Sequence, residues 1–322
     1  MPPGLRDPRI PIHILTGWLG AGKTTLLNKI LSAPQRLRWI VLVNEFGDIG
    51  IDHKLVVHAE EDLIELQNGC VCCTVRGDLV KALIELKSPK GWLKKQPSFD
   101  RVIIETTGVA QPGPLLRTLL VESQVAENFK LAGLVCMVDA LNAESSLAES
   151  VALDQLASAD VVVLNKVDLV DKTHTAKLKK HLAAINPEAP CFSSTYGDID
   201  VLEILRERRR EMQTPQSTTE NHLGDMQAIC LKHATALDEM KVQLWLAGCA
   251  QSLSGELIRW KGFLHLHGRS ERCVLQGVYD VYSVEVGEPW EGKDRFSELV
   301  FIGRRLDEAT LRKGLKACEA SG

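Results

Sequence analysis

One glycine-rich stretch, residues 17–24, constrains the fold of this chain more than any other feature. It reads G-W-L-G-A-G-K-T and lies between the apolar run I-P-I-H-I-L-T (10–16) and a helix-like run, T-T-L-L-N-K-I-L. The stretch fits G-x-x-x-x-G-K-[ST], a loop whose backbone N–H groups surround nucleotide phosphates between a strand and a helix. We therefore predict a P-loop here. The alternative is a glycine-rich turn with a chance lysine.

The chemistry of phosphate binding assigns roles within this loop. Gly20 and Gly22 let backbone N–H groups turn toward the phosphates, and Lys23 reaches the β- and γ-phosphates. The Thr24 hydroxyl is a ligand for Mg²⁺, and the N-terminus of the following helix adds partial positive charge. The predicted nucleotide-binding residues of this segment are Gly17, Gly20, Ala21, Gly22, Lys23, Thr24 and Thr25.

Short apolar, β-branched runs alternate with helical segments over the first two thirds of the chain. Runs that are continuously apolar are typical of strands buried on both faces of a parallel sheet. We predict strands at 10–16, 39–43, 101–105, 133–138 and 161–165, and helices near 24–32, 77–87, 147–158 and 173–185. The predicted fold is an α/β P-loop domain with a mostly parallel sheet covered by helices.

The pattern changes after a polar stretch at 211–224, which has the composition of a linker. Beyond it we predict a helix at 237–252, strands at 256–266, 274–286 and 298–305, and a helix near 306–318 with Asp307 as its N-cap. This indicates a second, smaller α/β domain with a largely antiparallel sheet. The expected organisation is a tail (1–9), a nucleotide domain (10–210), a linker (211–224) and a C-terminal domain (225–322).

The tetrapeptide N-K-V-D, residues 165–168, follows a predicted buried strand and predicts which base is bound. The Asp168 carboxylate can accept two hydrogen bonds from guanine N1 and N2, a donor pair that adenine lacks. Asn165 would support the loop and the purine edge, and the stem of Lys166 would lie along the ring. Because the wrong base leaves a buried carboxylate unpaired, we expect strong preference for GTP over ATP.

Two acidic segments occupy the positions where a nucleotide switch protein holds Mg²⁺ and senses the γ-phosphate. In R-V-I-I-E-T-T-G (101–108) Glu105 takes the place of the usual Asp, so it acts directly or through a water. In N-E-F-G-D-I-G-I-D (44–52) Asp52 is a candidate for positioning Mg²⁺ or water. The plain alternatives are a surface Glu and a polar turn. The predicted catalytic residues are Lys23, Glu105 and Asp52, with slow intrinsic hydrolysis.

Three of the nine cysteines, Cys70, Cys72 and Cys73, fall within four positions, and the other six are scattered. Thiolates suit Zn²⁺, Co²⁺ or Cu⁺, but a closed structural zinc site usually takes two cysteine pairs. This cluster offers at most three ligands, and the fourth would be water, a partner or a carboxylate such as Glu45. Such an incomplete site suits a metal that is delivered. A redox pair, structural zinc and a chance cluster are the alternatives.

Bulk properties exclude several classes of function. The net charge of −4 predicts no general attraction to nucleic acid, and no uninterrupted apolar run is long enough for a membrane span. The N-terminus M-P-P-G-L-R-D-P-R lacks the apolar core of a signal peptide. An odd number of mostly isolated cysteines is typical of a reduced compartment. We expect a cytoplasmic protein, with a nuclear location also open.

Together these motifs resemble, in order and spacing, those of the CobW-like P-loop GTPases, over roughly residues 10–320. The stretches R-W-K-G-F-L, L-Q-G-V-Y-D-V-Y-S and F-I-G-R-R-L-D are similar to that family's C-terminal domain. The resemblance implies GTP and GDP as ligands, Mg²⁺ as cofactor, zinc at Cys70, Cys72 and Cys73, and Glu45 as an auxiliary ligand. It also implies a client zinc metalloprotein, which in the eukaryotic zinc-activator branch is a methionine aminopeptidase.

The chain departs from the family pattern at a few positions. Gln111 stands where the family often has Asp, and residues 1–12 lack the Cys-Pro docking motif of the aminopeptidase activators. In place of a His-rich run, only His265 and His267 alternate on a predicted strand, as surface histidines do. We expect a GTP-dependent zinc metallochaperone. The alternative is a GTPase regulator or sensor that uses zinc or thiol redox state as input without delivering metal.

Overall fold

The computed structural model of the chain describes residues 7–33, 37–44, 57–58, 75–87, 99–206, 225–290 and 294–320. The chain divides into two compact units. The first takes its residues from Met1–Gln155, Asp160–Thr175 and Phe192–Arg208. The second takes them from Leu156–Ala159, Ala176–Cys191 and Arg209–Gly322. The expected linker, 211–224, lies outside the described residues.

One sheet has the strand order β3-β2-β4-β1-β5-β6-β7. The neighbours among β2, β4, β1, β5 and β6 are parallel, whereas β3 is antiparallel to β2. The strands are β1 (Ile10–Gly17), β2 (Trp39–Asn44), β3 (Val57–His58), β4 (Arg101–Thr106), β5 (Phe129–Asp139), β6 (Val161–Asn165) and β7 (Cys191–Ser193).

Helices connect these strands, as a parallel sheet requires. They are α1 (Lys23–Ser32), α2 (Val75–Lys87), α3 (Pro112–Val121), α4 (Ser123–Ala126), α5 (Ala143–Ser146), α6 (Ser150–Ser158), a 3₁₀ turn (Val167–Leu169), α7 (Lys172–Ile185) and α8 (Val201–Ile204). One core cluster packs Leu26 of α1 against Ile103 of β4 and Val163 of β6, all of which are buried.

The predicted fold class is confirmed: a helix-covered parallel sheet is followed by an antiparallel one. Every residue of β6 is buried, which explains why its apolar run is continuous. The predicted helix at 147–158 was too long, because α5 and a turn at 147–149 precede α6. Helix α3 and the short strands β3 and β7 were not predicted. Pro112 at the start of α3 was a missed helix signal.

The second unit contains an antiparallel sheet with strand order β11-β10-β9-β12-β8. Its buried Trp260 and Phe301 belong to a core cluster that also takes in Leu246 and Leu311, each from a helix. The elements are β8 (Met226–His233), α9 (Glu239–Ser252), β9 (Leu257–Leu264), β10 (Glu271–Val278), β11 (Val281–Pro289), β12 (Ser297–Arg304) and α10 (Glu308–Ala317).

Local signals in this unit were partly legible from the sequence. Asp307 is the N-cap of α10, as predicted, since its Oδ1 accepts a hydrogen bond of 3.1 Å from the Ala309 N–H. The single strand predicted at 274–286 is wrong. It is a hairpin of β10 and β11 that turns at Tyr279, which has a φ of 53°. The apolar pattern runs straight through this turn without glycine, and strand β8 was missed.

Charged side chains are buried within the second unit. Glu188 is 6% exposed, Arg259, Lys261 and Glu298 are each 5% exposed, and an Arg259 Nη1–H donates to the Ser158 carbonyl oxygen at 3.4 Å. Burial raises the pKa of Glu188 to about 7, although the positive charges of Lys261 and Arg259 oppose the shift. Neither Glu188 carboxyl oxygen has a hydrogen-bond partner among the described residues. Desolvation therefore dominates at this carboxyl group.

Among the described residues, no helix is both long and apolar enough to cross a membrane.

Candidate nucleotide site

The glycine-rich loop connects β1 to α1, and its backbone needs glycine. Gly17, Gly20 and Gly22 have φ values of 134°, 72° and 101°, a region that disfavours residues with a side chain. A Cβ at Gly17 would overlap the Met137 carbonyl oxygen, and one at Gly22 would lie 2.5 Å from Asn165 Nδ2. The loop is therefore held tightly against both β5 and the end of β6.

Lys23 places its ammonium group inside the loop. Its Nζ donates to the carbonyl oxygens of Gly17 and Trp18 at 2.8 and 3.2 Å, and the residue is 9% exposed. Burial lowers the pKa of Lys23, and the negative charge of Glu105 opposes that shift. A buried cation bound to loop carbonyls, with the N-terminus of α1 beginning at Lys23, suits a polyphosphate.

Two oxygens next to this loop fit a hard divalent cation. The Thr24 hydroxyl donates to Glu105 Oε1 at 3.0 Å. Glu105 is paired in register with Leu15, so it lies at the carboxyl end of β4 beside the start of the loop. Hydroxyl and carboxylate oxygens are ligands that Mg²⁺ prefers, so the donor set fits this ion.

Asn165, at the end of β6, joins two loops that are distant in sequence. Its Nδ2 donates to the Ala21 carbonyl oxygen at 2.9 Å, and its Oδ1 accepts from the Gly197 N–H at 3.2 Å. The side chain is 2% exposed. The amide thus fixes the phosphate loop and the segment after β7 to one anchor.

Lys166 has a left-handed backbone, with φ of 61°, and its Nζ lies 2.7 Å from Asp139 Oδ2. Burial acts to raise the pKa of Asp139, but hydrogen bonds from Lys166, Asn142 and the Leu141 N–H hold it below its usual value. This ion pair anchors the lysine stem. Asp168, in the 3₁₀ turn that follows, is exposed. Its carboxylate is therefore accessible to a ligand.

A loop that the sequence reasoning missed lies beside the N-K-V-D segment. The Val167 N–H donates to the Ser194 carbonyl oxygen at 3.3 Å, and Gly197 lies against Leu26 of α1. Between them Tyr196 has a φ of 52° and is 73% exposed. The signal that could have found it is the T-Y-G turn after β7. The structure thus brings together Gly17–Thr24, Glu105 and Asn165–Asp168 and adds this loop.

Other predicted site residues are not placed by the structure. Cys70, Cys72, Cys73, Glu45 and Asp52 lie outside the described residues. In the part of the chain that the structure describes, no group of three or more His, Cys, Asp or Glu residues could hold a metal ion.

The two alternating histidines lie just after β9. His267 is exposed and His265 is half-buried, with its ring centroid 5.9 Å from that of Trp290. Burial lowers the pKa of His265. The strand expected at both positions ends at Leu264.

Two family models cover most of the chain. Residues 11–193 match the model described as CobW/HypB/UreG, nucleotide-binding domain. Residues 226–319 match the model described as cobalamin synthesis protein cobW C-terminal domain. The two matched ranges correspond to the parallel and antiparallel sheets.

Named proteins similar to the chain include zinc chaperone YjiA of Escherichia coli strain K12, with 32% identity over 94% of this chain and 96% of that protein. The zinc-regulated GTPase metalloprotein activator 1 of Schizosaccharomyces pombe is 38% identical, over 62% of this chain and 49% of that protein. The crystal structure of Zn(II)-bound YjiA GTPase from E. coli has a TM-score of 0.74 at 28% identity, covering 98% of this chain and 100% of that one.

Proposed function

The chain belongs to the CobW/HypB/UreG family of P-loop GTPases, and from that premise we propose that it is a GTP-dependent zinc metallochaperone. As a GTPase of this family it converts GTP and water to GDP and phosphate, with Mg²⁺ as cofactor. The proposal is that it binds zinc at Cys70, Cys72 and Cys73 and passes the metal to a client metalloprotein. Glu45 and Asp52 serve as auxiliary metal and switch residues in the same proposal.

The observation that carries the nucleotide half is the Asn165 amide, which joins the phosphate loop to the base-recognition segment. In our proposal the N–H groups of the loop and Lys23 bind the phosphates. Thr24 and Glu105 would hold Mg²⁺, which supplies charge neutralisation at the β- and γ-phosphates when bound. Asp168 accepts the hydrogen bonds of guanine, and Lys166, anchored by Asp139, lies along the base.

The metal half is supported by the printed names of the relatives, one of which is a zinc chaperone and another a zinc-regulated metalloprotein activator. Three clustered thiolates bind zinc strongly but leave a coordination position open for exchange. Because zinc binds deprotonated cysteines, affinity should rise with pH. The family resemblance offers methionine aminopeptidase as one candidate client. Residues 1–12 lack the Cys-Pro docking motif of the aminopeptidase activators, so binding to this client would have to use other residues.

Coupling between the two halves requires only a modest difference between nucleotide states. The cysteines lie between Asn44 and Glu105 in sequence, so contacts of the γ-phosphate with the flanking loops can align the thiolates. A tenfold change in zinc affinity corresponds to about 1.4 kcal/mol of differential contact. Hydrolysis would then loosen the site and release the metal.

The decisive experiment measures zinc affinity by competition with a chromophoric chelator, in Mg²⁺ plus a non-hydrolysable GTP analogue and in Mg²⁺ plus GDP. We expect tighter binding with the analogue and loss of this binding in the triple Cys70, Cys72, Cys73→Ser variant. Cys230→Ser is the matched control. Cys230 is a half-buried thiol on β8, and among the described residues it belongs to no group of His, Cys, Asp and Glu that could hold a metal ion, so its replacement should leave zinc affinity unchanged. Equal affinity in both nucleotide states would instead favour a regulator or sensor.

A further inference from the structure

Gln155, on α6, is a fully buried amide bonded to a distant loop. It is 0% exposed, and its Nε2 donates to the carbonyl oxygens of Gly108 and Ala110 at 3.1 and 3.0 Å. Both N–H groups of the amide are thus used, since each can serve one acceptor. Neither carbonyl belongs to a helix or strand, where the backbone itself would supply the hydrogen-bond donor. The Gln155 amide supplies that donor for both.

The loop that Gln155 holds lies directly against the phosphate loop. It begins directly after Thr106, the last residue of β4 and the neighbour of Glu105, whose carboxylate accepts a hydrogen bond from the Thr24 hydroxyl. A Cβ at Gly108 would lie 2.5 Å from the Leu19 backbone nitrogen, so the two backbones touch. The Ala110 N–H closes a turn onto the Thr107 carbonyl oxygen at 3.1 Å. The loop is therefore held by Leu19 on one side and Gln155 on the other.

The helix turn that carries Gln155 is itself fixed. The Asn186 Nδ2 lies 2.9, 3.2 and 3.0 Å from the carbonyl oxygens of Leu156, Ala157 and Ala159, so its two hydrogens are shared among three acceptors, and Asn186 is 1% exposed. Leu156 and Ala157 lie in the last turn of α6, where carbonyl groups lack partners further along the helix, and Ala159 follows the end of the helix. A rotamer anchored on such a capped turn is preorganised, so Gln155 holds the loop at little entropic cost.

We propose that Gln155 is a positioning residue that holds residues 107–110 where they meet the γ-phosphate, and so sets the preference for GTP over GDP. In nucleotide switch proteins the loop after this strand is ordered by contacts with the γ-phosphate, which GDP lacks. A loop that is already held in place loses little conformational entropy when it binds that phosphate. The inference rests on the proposed GTP binding and names a residue outside the recognised motifs.

The test compares the affinities of Mg²⁺–GDP and of a Mg²⁺-bound non-hydrolysable GTP analogue in wild type and in Gln155→Met. Methionine keeps the volume and apolar stem but removes both donors. We expect the analogue to bind about tenfold more weakly, which corresponds to about 1.4 kcal/mol, and GDP affinity to stay within about twofold. The matched control is Gln251→Met. Gln251 is an exposed glutamine on α9, so this substitution should change the affinity for neither nucleotide.

Two outcomes separate failure of this inference from failure of the proposed function. An unchanged ratio of the two affinities, or an equal loss of both together with a lower melting temperature, would overturn the inference and leave Gln155 a purely structural residue. Wild type that binds no guanine nucleotide with Mg²⁺ would defeat the proposed function itself, before any variant is compared.

A measurement on the wild-type chain covers the case in which Gln155→Met does not fold. Amide hydrogen exchange of residues 107–110 should be slower with the GTP analogue than with GDP, because only the analogue contacts the positioned loop. Exchange that is equal in the two states would show that the loop does not meet the γ-phosphate, and would overturn the inference at that premise.

Discussion

The buried amide of Asn165 should stabilise the first unit even without nucleotide. Replacing it with alanine leaves the Ala21 carbonyl oxygen without its 2.9 Å donor and the Gly197 N–H without its 3.2 Å acceptor. A buried polar group that loses its partner costs roughly 1–3 kcal/mol. Since the second bond is longer and weaker, we expect Asn165→Ala to lower the free energy of unfolding by about 3 kcal/mol in total.

The assay is equilibrium urea unfolding of the full chain, followed by circular dichroism in the absence of nucleotide. The matched control is Asn28→Ala, because Asn28 is an exposed asparagine on α1 and should stay within about 0.5 kcal/mol of wild type. A loss for Asn165→Ala as small as that of the control would refute the reasoning, since it would mean that water replaces both bonds at no cost.

Gly22 supplies a second check on the same contact. A Cβ there would lie 2.5 Å from Asn165 Nδ2, so Gly22→Ala should destabilise through this clash as well as through its φ of 101°. Removing the Asn165 amide removes the clash but not the backbone strain. The double variant should therefore lose less than the sum of the two single variants, and simple additivity would contradict the contact.

Three further predictions concern the second unit. Because the folded state keeps the Glu188 proton between pH 4.5 and about 7 while the unfolded state loses it, stability should fall as pH rises through that window. Glu188→Gln should remove this pH dependence and raise the free energy of unfolding at pH 8 by up to about 3 kcal/mol. Urea unfolding at pH 5 and pH 8 tests this, and equal gains at the two pH values would contradict the prediction. The added methyl group of Gly277→Ala would overlap the buried Trp260 indole and should lower the free energy of unfolding by about 1–3 kcal/mol or more. Gly248→Ala is the matched control, because its methyl group meets open space on α9, and it should raise the free energy of unfolding by about 0.5–1 kcal/mol. Asp307→Ala loses the cap of α10 and should cost about 1 kcal/mol, seen as a lower melting temperature, and an unchanged melting temperature would show that the cap contributes nothing.

Much of the first unit was legible because its signals are local. The run V-V-V-L-N predicts β6 by itself, since a strand buried on both faces is apolar throughout. The loop between β1 and α1 was equally clear, because its glycines are required by the backbone of a few consecutive residues. The same holds for the Asp307 cap, which acts on residues two and three positions ahead.

The errors arose where a local pattern carried two meanings. The run from 274 to 286 is apolar and β-branched on both sides of Tyr279, so a hairpin and a single long strand have the same pattern. Its turn uses tyrosine and aspartate in place of glycine, which removes the usual signal. In the folded chain Val278 pairs with Val281 across the turn and with Arg259 of β9, so the hairpin is also held by a strand that is distant from the turn in sequence.

The amino-acid sequence by itself determined the order of the motifs. From them it predicts phosphate binding at Lys23, oxygen ligands at Thr24 and Glu105, and a carboxylate for guanine at Asp168. Only the tertiary structure decided which side chains meet. Asn165 reaches Ala21 across 144 positions and Gln155 reaches Gly108 across 47, and nothing in the residues around either amide marks its partner. The physical reason is range, because propensity and capping act over a few residues, whereas a buried amide is satisfied by whatever group the packing of the whole unit brings to it.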